Sequence, residues 1–580
     1  MSIFIKLSWY FKQEWRIYAI GVLGLVLTAI FGIFPPWIIG HLVDLIRDEK
    51  LTADYLFLLL GGLVAVAIIQ YIARYMWRNA IWGEAAKLES LLRHRIFWHY
   101  MQMDTAFFQR YRTGDLMAHA TNDLSAIQRV AGGGILQFAD SLITGGTTLI
   151  AMMLVVDWRL TLIAILPLPL LAVMARTLGN KMHIAFKKSQ AAFSRLNNKA
   201  QESISGVKVI KSFGQEAADI QDFNQQIDDT ITINQHVNKL DALFDPITTM
   251  IMAISYVVTI IYGGHLVNTS VITLGALVSF VSYLSMLVWP MFALGMLFNT
   301  LERGNASYDR IEAIMAEKSS IIEPEDAVNK TPVGNVDYQV ASFTFPGATA
   351  PALTNINFNI AAGKTLGLVG SVGSGKSTII RLLLREFDNY QGAITFNTLD
   401  IRQYQLDAYM PAIGYVPQET YLFSDTVREN IRFARPNATQ AEVEEAAYKS
   451  DLAEQVDNMP EGYDTPVGEE GISLSGGQRQ RLAIARALLI DPELLILDDA
   501  LSAVDAETET AILQTLRQER QNKTTIIASH RLSSVMDADE ILVMQDGQII
   551  ERGTHDSLIS QNGWYAKTFA LQALAVEGEV

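Results

Sequence analysis

The sequence predicts an α-helical membrane domain with six spans, followed by an α/β domain that carries a phosphate-binding loop. Apolar residues make up 50% of the 580-residue chain, and the long apolar runs lie before residue 300. Beyond residue 336, short strand-like and helix-like segments alternate instead. Among them, the glycine-rich segment GSVGSGKST at Gly370–Thr378 follows a strand-like run and precedes a helix-like one. We therefore expect a membrane domain over residues 1–318, a linker over 319–335 and the α/β domain over 336–580.

Composition excludes several other classes of protein. The formal net charge of −16 argues against nucleic acid as a ligand, because phosphate backbones attract clustered lysine and arginine. The chain has no cysteine, which excludes disulfide bonds and thiolate metal sites. The apolar first half indicates that a lipid bilayer surrounds that domain.

Six apolar segments are long enough to cross a bilayer as helices. Crossing ~30 Å of hydrocarbon takes about 20 apolar residues in helical form. Helices are expected because the backbone polar groups of a lipid-exposed segment must bond within that segment. Buried helices of a soluble enzyme would not give six such runs in series. The predicted spans are Ile17–Ile39, Tyr55–Trp77, Ile135–Val156, Leu160–Leu178, Pro246–Val267 and Leu274–Leu297.

The distribution of basic residues predicts the orientation of the spans. Two long stretches, Arg74–Arg129 and Arg176–Lys239, are rich in lysine and arginine and are expected on the cytoplasmic side. The short connections near Asp44–Asp54, Asp157–Arg159 and His265–Ser270 are poor in positive charge and are expected outside. Both termini and the α/β domain are then cytoplasmic.

Local features predict where the helices are interrupted. Ile3–Trp15 mixes aromatic and charged residues, which is typical of a helix that lies in the membrane interface. Arg112–Leu116 and Ser212–Glu216 place glycine between polar and apolar residues, and each predicts a turn with a short crossing helix. The proline pair that begins at Pro35, and Pro290 in the sixth span, are expected to kink their helices.

Two features of the membrane domain leave alternatives open. Asp140 lies inside the third apolar segment, where an ionisable residue costs at least ~2.5 kcal/mol unless it faces protein or water. It either contacts a transported substrate or forms a hydrogen bond between helices. The sixth segment carries large, deformable apolar side chains that suit a promiscuous cavity, although such residues more often pack or face lipid. They are Tyr283, Met286, Trp289, Met291, Phe292 and Met296.

The glycine-rich segment has the residues that phosphate binding needs. Glycine allows the backbone N–H groups to wrap phosphate oxygens at the start of a helix. Lys376 supplies a cation for the outer phosphates, and Ser377 supplies a hydroxyl ligand for Mg²⁺. The expected ligands are therefore ATP and Mg²⁺. The predicted binding residues are Gly370, Ser371, Gly373, Ser374, Gly375, Lys376, Ser377 and Thr378.

A second motif and an acidic strand end restrict the family. LSGGQ at Leu474–Gln478 lies about a hundred residues after the loop and just before the apolar run Leu494–Leu497. That run ends in Asp498, which is predicted to hold Mg²⁺. This order of motifs resembles the ATP-binding cassette (ABC) transporters. The resemblance covers essentially the whole chain, and it implies that the turns at Arg112–Leu116 and Ser212–Glu216 dock onto ATPase domains.

The resemblance implies further site residues, position by position. Gln418 matches a glutamine that senses Mg²⁺ and the attacking water, and His530 matches a histidine that contacts the terminal phosphate. Phe345 lies where the family has an aromatic residue that stacks on adenine. Without the family pattern these three would be taken as a loop amide, a structural histidine and a core strand residue. The signature residues implied to bind a terminal phosphate held by a second chain are Ser475, Gly476, Gly477 and Gln478.

Asp499 departs from the family pattern. The family usually has glutamate here, where it polarises the attacking water. Aspartate is one methylene shorter, and general-base catalysis, typically worth 10²- to 10⁴-fold, depends on hydrogen-bond reach. We expect a weakened base, so that ATP is bound but slowly hydrolysed; the alternative is a tolerated substitution in an active homodimer. The pattern is similar to heterodimeric multidrug exporters, in which one subunit carries this aspartate and its partner retains glutamate.

The residues and the resemblance together predict one subunit of a heterodimeric exporter in a bacterial-type cytoplasmic membrane. Asp499, His530 and Gln418 are its candidate catalytic residues. ATP would drive the export of small, drug-like amphipathic compounds, with the LSGGQ motif of this chain completing the site of its partner. The alternative is a lipid or peptide exporter, either heterodimeric or homodimeric. The six apolar spans exclude a soluble cassette ATPase.

Overall fold

The computed structural model describes residues 2–468, 471 and 473–577. These residues divide into two compact units. The first comprises the described residues up to 101 together with 112–317, and the second comprises 102–111 and the described residues from 318 onwards.

Six helical segments of the first unit are long and apolar enough to cross a membrane, which confirms the six predicted spans. Five of them extend well beyond the apolar runs, because their polar parts contain few residues that break a helix. The segments are Trp15–Arg47, Ala53–Met101, Thr113–Val156, Trp158–Ser205, Glu216–Asn268 and Leu274–Ala316.

Short interruptions divide these segments into individual helices. Three π-helical turns lie in the third segment, at His119–Asp123, Val130–Gly134 and Met152–Val156. The α-helices in the first 317 residues are α1 Ser2–Lys6, α2 Ser8–Gln13, α3 Trp15–Gly32, α4 Phe34–Arg47, α5 Ala53–Met101, α6 Thr105–Arg110, α7 Thr113–Ala118, α8 Leu124–Arg129, α9 Ile135–Ala151, α10 Trp158–Ile165, α11 Pro169–Ser205, α12 Val207–Ser212, α13 Glu216–Asp241, α14 Phe244–Asn268, α15 Leu274–Met286 and α16 Val288–Ala316. Of these, α6 belongs to the second unit.

Two interruptions lie where proline predicts kinks. One at Ile33 separates α3 from α4, just before Pro35 and Pro36. Another at Leu287 separates α15 from α16, just before Pro290. Proline lacks the amide hydrogen that would bond to the carbonyl group one turn earlier, so the helix breaks on the N-terminal side of the proline.

The first two helices pack onto the membrane unit through one face. Ile3, Leu7 and Tyr10 are completely buried. The Tyr10 hydroxyl donates a hydrogen bond to the Glu84 carboxylate at 2.8 Å. The predicted single interface helix is therefore wrong in detail: it is two short helices that meet at Leu7 and bury their apolar side.

Glycine allows α4 and α15 to approach each other closely. A Cβ atom on Gly275 would lie 1.9 Å from the carbonyl oxygen of Gly40. Asp44 closes this contact, because its carboxylate accepts hydrogen bonds from the Gly275 amide at 2.7 Å and from the Thr273 hydroxyl at 2.6 Å. The two glycines thus fix the distance between parts of the first and last spans of the chain.

The two predicted breaks in the long polar stretches differ in outcome. A turn at Gly214, with φ at +61°, separates α12 from α13, as predicted for Ser212–Glu216. In the first stretch the short helix precedes Arg112–Leu116: it is α6, which begins at Thr105. Asp104 caps its N-terminus, where the Asp104 carboxylate accepts a hydrogen bond from the Phe107 amide at 2.9 Å. Gly114 lies in the first turn of α7 instead. The N-terminal cap at Asp104 therefore decides the position of the short helix more than the glycine does.

The second unit contains two sheets, whose strands are β1 Val336–Phe343, β2 Leu353–Ile360, β3 Thr365–Gly370, β4 Gln391–Phe396, β5 Leu399–Asp400, β6 Ile413–Val416, β7 Leu494–Asp498, β8 Thr524–Ala528, β9 Glu540–Gln545 and β10 Gln548–Gly553. The smaller sheet has the order β2-β1-β4-β5 and the larger the order β10-β9-β3-β8-β7-β6. In the larger sheet only β10 is antiparallel to its neighbour. It follows a hairpin turn at Asp546 and Gly547, which both have positive φ.

Helices surround the larger sheet. Every residue of β7 and β8 is buried, as expected for parallel strands that are covered on both faces. The α-helices are α17 Lys376–Leu383, α18 Leu406–Tyr409, α19 Val427–Arg432, α20 Gln440–Lys449, α21 Ala453–Asp457, α22 Gly476–Leu489, α23 Ala506–Glu519, α24 His555–Ser560 and α25 Trp564–Glu577.

Residues 319–335 form no helix or strand, yet hydrogen bonds attach them to the second unit. The buried Arg385 donates to the carbonyl oxygen of Ile322 at 3.3 Å. The Ser320 hydroxyl donates to the carboxylate of Asp104 at 2.6 Å. Ala106, in α6, packs against the core of the second unit. The linker and α6 are therefore parts of the same compact body as the sheets.

We expect Gly275→Ala to destabilise the membrane unit. Its added methyl group would overlap the Gly40 carbonyl oxygen and Asp44, and overpacking of this kind typically costs about 1–3 kcal/mol. Gly264→Ala is the matched control, because a Cβ atom there would meet nothing within 4 Å. Thermal unfolding of the detergent-solubilised protein, followed by tryptophan fluorescence, measures both. Equal unfolding midpoints for the two variants would contradict the close helix contact.

Candidate nucleotide site

The glycine-rich loop joins β3 to α17, which is the setting that this motif requires. Gly370, Gly373 and Gly375 have φ angles of +148°, +78° and +106°, which L side chains rarely adopt. A Cβ atom on Gly370 would also lie 2.2 Å from the carbonyl oxygen of Met544. Backbone conformation therefore demands glycine at three positions of the loop, and space demands it at Gly370 as well.

Lys376 begins α17 and returns its side chain to the loop. Its ammonium group donates hydrogen bonds to the carbonyl oxygens of Gly370 at 2.8 Å and Ser371 at 3.0 Å. Burial lowers the pKa of Lys376, and the carboxylates of Asp498 and Asp499 oppose that shift. A buried cation at the start of a helix favours an anionic ligand.

Parallel pairing brings an acidic residue to the same edge of the sheet. Leu368 in β3 pairs with Ala528 in β8, which pairs in turn with Asp498 in β7. The Ser377 hydroxyl donates to the Asp498 carboxylate at 3.3 Å. Burial raises the pKa of Asp498, and the neighbouring Asp499 adds to the rise. Both residues line a cavity, and a hydroxyl–carboxylate pair suits a hard cation such as Mg²⁺.

Asp499 lies between two loops of the site. Its backbone is left-handed, with φ at +51°, and its amide donates to the Ala528 carbonyl oxygen at 2.8 Å. Its carboxylate accepts hydrogen bonds from Nε2 of Gln418 and from the backbone N–H of His530, each at 3.4 Å. The structure thus brings the three predicted catalytic residues together, and both of these hydrogen bonds are long.

A cavity of about 210 Å³ adjoins the loop. Ten of the predicted residues line it: Gly373, Ser374, Gly375, Lys376, Ser377, Thr378, Gln418, Asp498, Asp499 and His530. Val372 and Ala528 complete the lining. Gly370 and Ser371 are outside this lining and act through their carbonyl contacts with Lys376.

Phe345 lies outside the cavity lining, beside α17. Its ring packs edge-on against Phe343 and Phe387, with centroids 4.9 Å and 5.5 Å away. The guanidinium group of Arg381 lies 5.2 Å from the ring centroid. The ring is only partly buried, and its stacking on adenine remains a prediction.

Sequence reasoning missed two side chains near the site. Tyr415 in β6 interacts with the Asp498 carboxylate, and burial raises its pKa. Arg381 covers Phe345 and also pairs with Glu386 at 2.7 Å. Arg381 could have been found from the sequence, because it lies one turn beyond Ser377 on α17. Tyr415 could not, because the pairing of β6 with β7 brings it to Asp498.

The LSGGQ motif forms the start of α22 and does not line the described cavity. The Ser475 hydroxyl accepts a hydrogen bond from the Gln478 amide at 3.2 Å, and the Gln478 side chain accepts one from the Ser475 amide at 2.9 Å. This reciprocal pair is a capping box. A Cβ atom on Gly477 would lie 3.1 Å from the carbonyl oxygen of Ala503. The four signature residues are therefore together, but apart from the phosphate loop of their own chain.

Comparison with known families covers both units. The family described as "ABC transporter transmembrane region" matches residues 18–291, and the family described as "ABC transporter" matches residues 353–502. The chain belongs to the ABC transporters. The fold class predicted from the sequence is thereby confirmed, as is an ATPase domain coupled to transport. Membership also establishes ATP as the nucleotide ligand of the family domain.

Relatives of this ABC transporter match nearly its whole length. It is 41% identical to the "Probable multidrug resistance ABC transporter ATP-binding/permease protein YheI" of Bacillus subtilis, over 99% of this chain and 98% of that protein. It is 42% identical to the "Multidrug resistance-like ATP-binding protein MdlA" of Escherichia coli, over 99% and 97%. The "Structure of a bacterial Atm1-family ABC exporter with ATP bound" is similar with a TM-score of 0.79 and 26% identity, covering 96% of this chain and 99% of that one.

We expect Lys376→Ala to weaken ATP binding by at least about tenfold, because the variant removes the buried cation and the side chain that holds two loop carbonyl groups. Titration with the fluorescent analogue trinitrophenyl-ATP measures this loss. Lys364→Ala is the control, since Lys364 is 56% exposed and pairs with Asp539 at 2.7 Å. Equal affinities in the two variants would contradict a phosphate-binding role for Lys376.

Proposed function

We propose that this chain is one half of an ABC transporter that exports drug-like amphipathic compounds. The observation that carries the proposal is the match of relatives to both units in one alignment, over 99% of the chain. Their printed names describe multidrug resistance, and they are 41% and 42% identical to this chain. The six spans and the lined nucleotide cavity provide the two parts that ATP-driven export requires.

In the proposed ATP site, the loop amides and Lys376 hold the phosphates. Ser377 and Asp498 hold Mg²⁺, because their oxygens lie 3.3 Å apart on the cavity wall and Mg²⁺ takes few protein ligands besides phosphate and water. Bound Mg²⁺ would neutralise charge on the phosphates. His530 and Gln418 flank the phosphate end. Phe345 provides the ring face for adenine, beside the loop helix.

A second polypeptide completes the proposed machine. Ser475, Gly476 and Gly477 start a 14-residue helix, but they do not line the described cavity of their own chain. Amides at a helix start bind phosphate well. In this proposal they bind the terminal phosphate that the loop of the partner subunit holds, so that ATP joins the two ATPase domains.

Asp499 makes the proposed pair asymmetric. Its short carboxylate makes two hydrogen bonds of 3.4 Å, to Gln418 and His530, and ends one methylene short of the family's glutamate. We infer that this chain holds a slow site and completes a fast one in a heterodimer. A homodimer that exports lipid is the second candidate, because the chain is 31% identical to the "ATP-dependent lipid A-core flippase" of Salmonella typhimurium over 572 residues.

The orientation follows from the basic stretches of the sequence: both termini and the ATPase domain are cytoplasmic in the proposal. The coupling segments are then α6 and the turn at Gly214. The grouping of residues supports this role for α6, which belongs to the second unit although the chain on both sides of it belongs to the first.

We expect everted membrane vesicles that contain this chain and its partner to accumulate an amphipathic dye when ATP is added. Accumulation requires ATP to bind, so Lys376→Ala in this chain should abolish or strongly reduce it, whereas Lys364→Ala should not. Dye fluorescence follows uptake. Vesicles that move labelled lipid between leaflets but accumulate none of a panel of dyes would favour the lipid exporter and contradict the proposal.

We expect Asp499→Glu to increase ATP hydrolysis up to about twofold, because it would add a second competent general base to the pair. Asp499→Asn should change the rate less than twofold, since the site is already slow. Steady-state hydrolysis is measured on the complex isolated through an affinity tag on this chain. A loss of 10²-fold or more in Asp499→Asn would show that Asp499 is a full general base and would overturn the asymmetry.

A further inference from the structure

The membrane unit contains a cavity of about 570 Å³ in which charged and aromatic side chains meet. Residues of α3, α5, α8, α9, α15 and α16, and of the π-helical turn at Val130–Gly134, form its walls. Arg74 and Arg129 line it, together with Asp140. Its aromatic lining consists of Trp77, Trp82 and Trp289. Charge and aromatic surface in one cavity are the features that select among amphipathic ligands.

The two arginines give the cavity a net positive charge. Arg74 donates a hydrogen bond to the neutral amide oxygen of Gln70 at 3.3 Å, and within the described ranges neither arginine forms an ion pair. The acidic residue of the lining, Asp140, accepts a hydrogen bond from the Thr144 hydroxyl at 2.6 Å, within its own helix. A guanidinium group without a counter-ion beside apolar surface favours a ligand that brings a negative charge.

The aromatic walls suit an apolar ligand body. Trp289 is 61% exposed and Trp82 is 38% exposed, and both line the cavity. The Trp82 ring also packs closely on Gly132, where a Cβ atom would lie 3.1 Å from the ring. A rigid indole face offers a large contact area with little loss of side-chain freedom.

Lipid headgroups are the ordinary alternative for arginines at the ends of apolar runs. Arg74 lies near the end of the second predicted span, and Arg129 lies shortly before the third. Long basic side chains at such positions commonly reach the headgroup region. Here both instead line one cavity with three tryptophans, which a purely interfacial role does not require.

We propose that this cavity binds amphipathic anions: compounds with a carboxylate, sulfonate or phosphate group on an apolar or aromatic body. Arg74 and Arg129 contact the anionic group, and Trp82 and Trp289 contact the body. The inference rests on the proposed export function and names its substrate class. Asp140 is hydrogen-bonded to Thr144, and the two positive charges of the arginines exceed its single negative charge.

Two xanthene dyes of opposite charge test the proposal. The transporter is isolated through a tag on this chain, together with its partner, and reconstituted into liposomes of phosphatidylcholine. ATP-dependent uptake of fluorescein, an anion, is compared with uptake of rhodamine 6G, a cationic ester. Arg74→Gln and Arg129→Gln should each raise the half-saturating concentration of fluorescein about tenfold, equivalent to about 1.4 kcal/mol, and should not raise that of rhodamine 6G.

The control variants distinguish an effect of the arginine charge on binding from an effect on folding. Arg78→Gln removes the same charge one turn further along α5, outside the cavity lining, and should leave both concentrations unchanged. Arg74→Lys and Arg129→Lys keep the charge and should restore most of the fluorescein affinity. Asp140→Asn should lower the half-saturating concentration of fluorescein or leave it unchanged. An increase in that variant would overturn the proposal.

A second arm distinguishes a soluble anion from an anionic lipid. Phosphatidylglycerol added to the liposomes should stimulate ATP hydrolysis in an Arg74- and Arg129-dependent manner if lipid is the source of the anion. If fluorescein transport depends on the two arginines and stimulation by phosphatidylglycerol does not, the cavity is assigned to soluble anions. Either result supports an anion site.

Two outcomes overturn the inference in different ways. If the arginine substitutions leave transport of both dyes unchanged, or weaken both equally, the anion site is contradicted but the export function is retained. Absence of ATP-dependent movement of either dye, with no stimulation by phosphatidylglycerol, contradicts the export function as well. The wild-type complex therefore tests the proposed function, and the arginine variants test the ligand class.

Discussion

The parallel pairing of three strands is the constraint on which the nucleotide site depends. β3, β8 and β7 lie side by side in one register, so Gly370, the last residue of β3, lies at the same sheet edge as Ser529 and Asp499, which follow β8 and β7. Residues more than a hundred positions apart in the chain are thereby placed within hydrogen-bond distance. The glycine conformations, the buried Lys376 and the left-handed Asp499 are all consequences of turning the chain sharply at that edge.

The membrane unit obeys a different constraint, because a bilayer supplies no water to its backbone groups. Long helices satisfy that demand, and within the six apolar segments irregular backbone is confined to proline positions and π-helical turns. Glycine then serves packing more than chain turning: Gly40 and Gly275 bring two helices together, whereas Gly132 makes room for Trp82. The same scarcity of water makes an unpaired arginine in a cavity informative, since its charge has few partners other than a ligand.

Features set by local pattern were predictable, and features set by distant contacts were not. The strand and helix on either side of the phosphate loop, the turn at Gly214 and the six spans follow from periodicity, turn residues and hydropathy. The position of α6 was not predicted correctly, because an N-terminal cap at Asp104 outweighs a glycine further along. Tyr415 lies beside Asp498 only through pairing of β6 with β7, and no local pattern encodes that register.

Asp499 and the LSGGQ motif both bear on whether this chain works with a different second subunit. The signature is intact and internally capped, so its geometry needs nothing from its own loop. The aspartate, by contrast, is held by two hydrogen bonds of 3.4 Å, in a cavity that Lys376, Ser377 and Asp498 also line. The proposed heterodimer would account for a chain that preserves what a partner would use while it alters one group of its own site. In that proposal, one nucleotide would stay bound while the other turns over, and the closed state would depend on both chains.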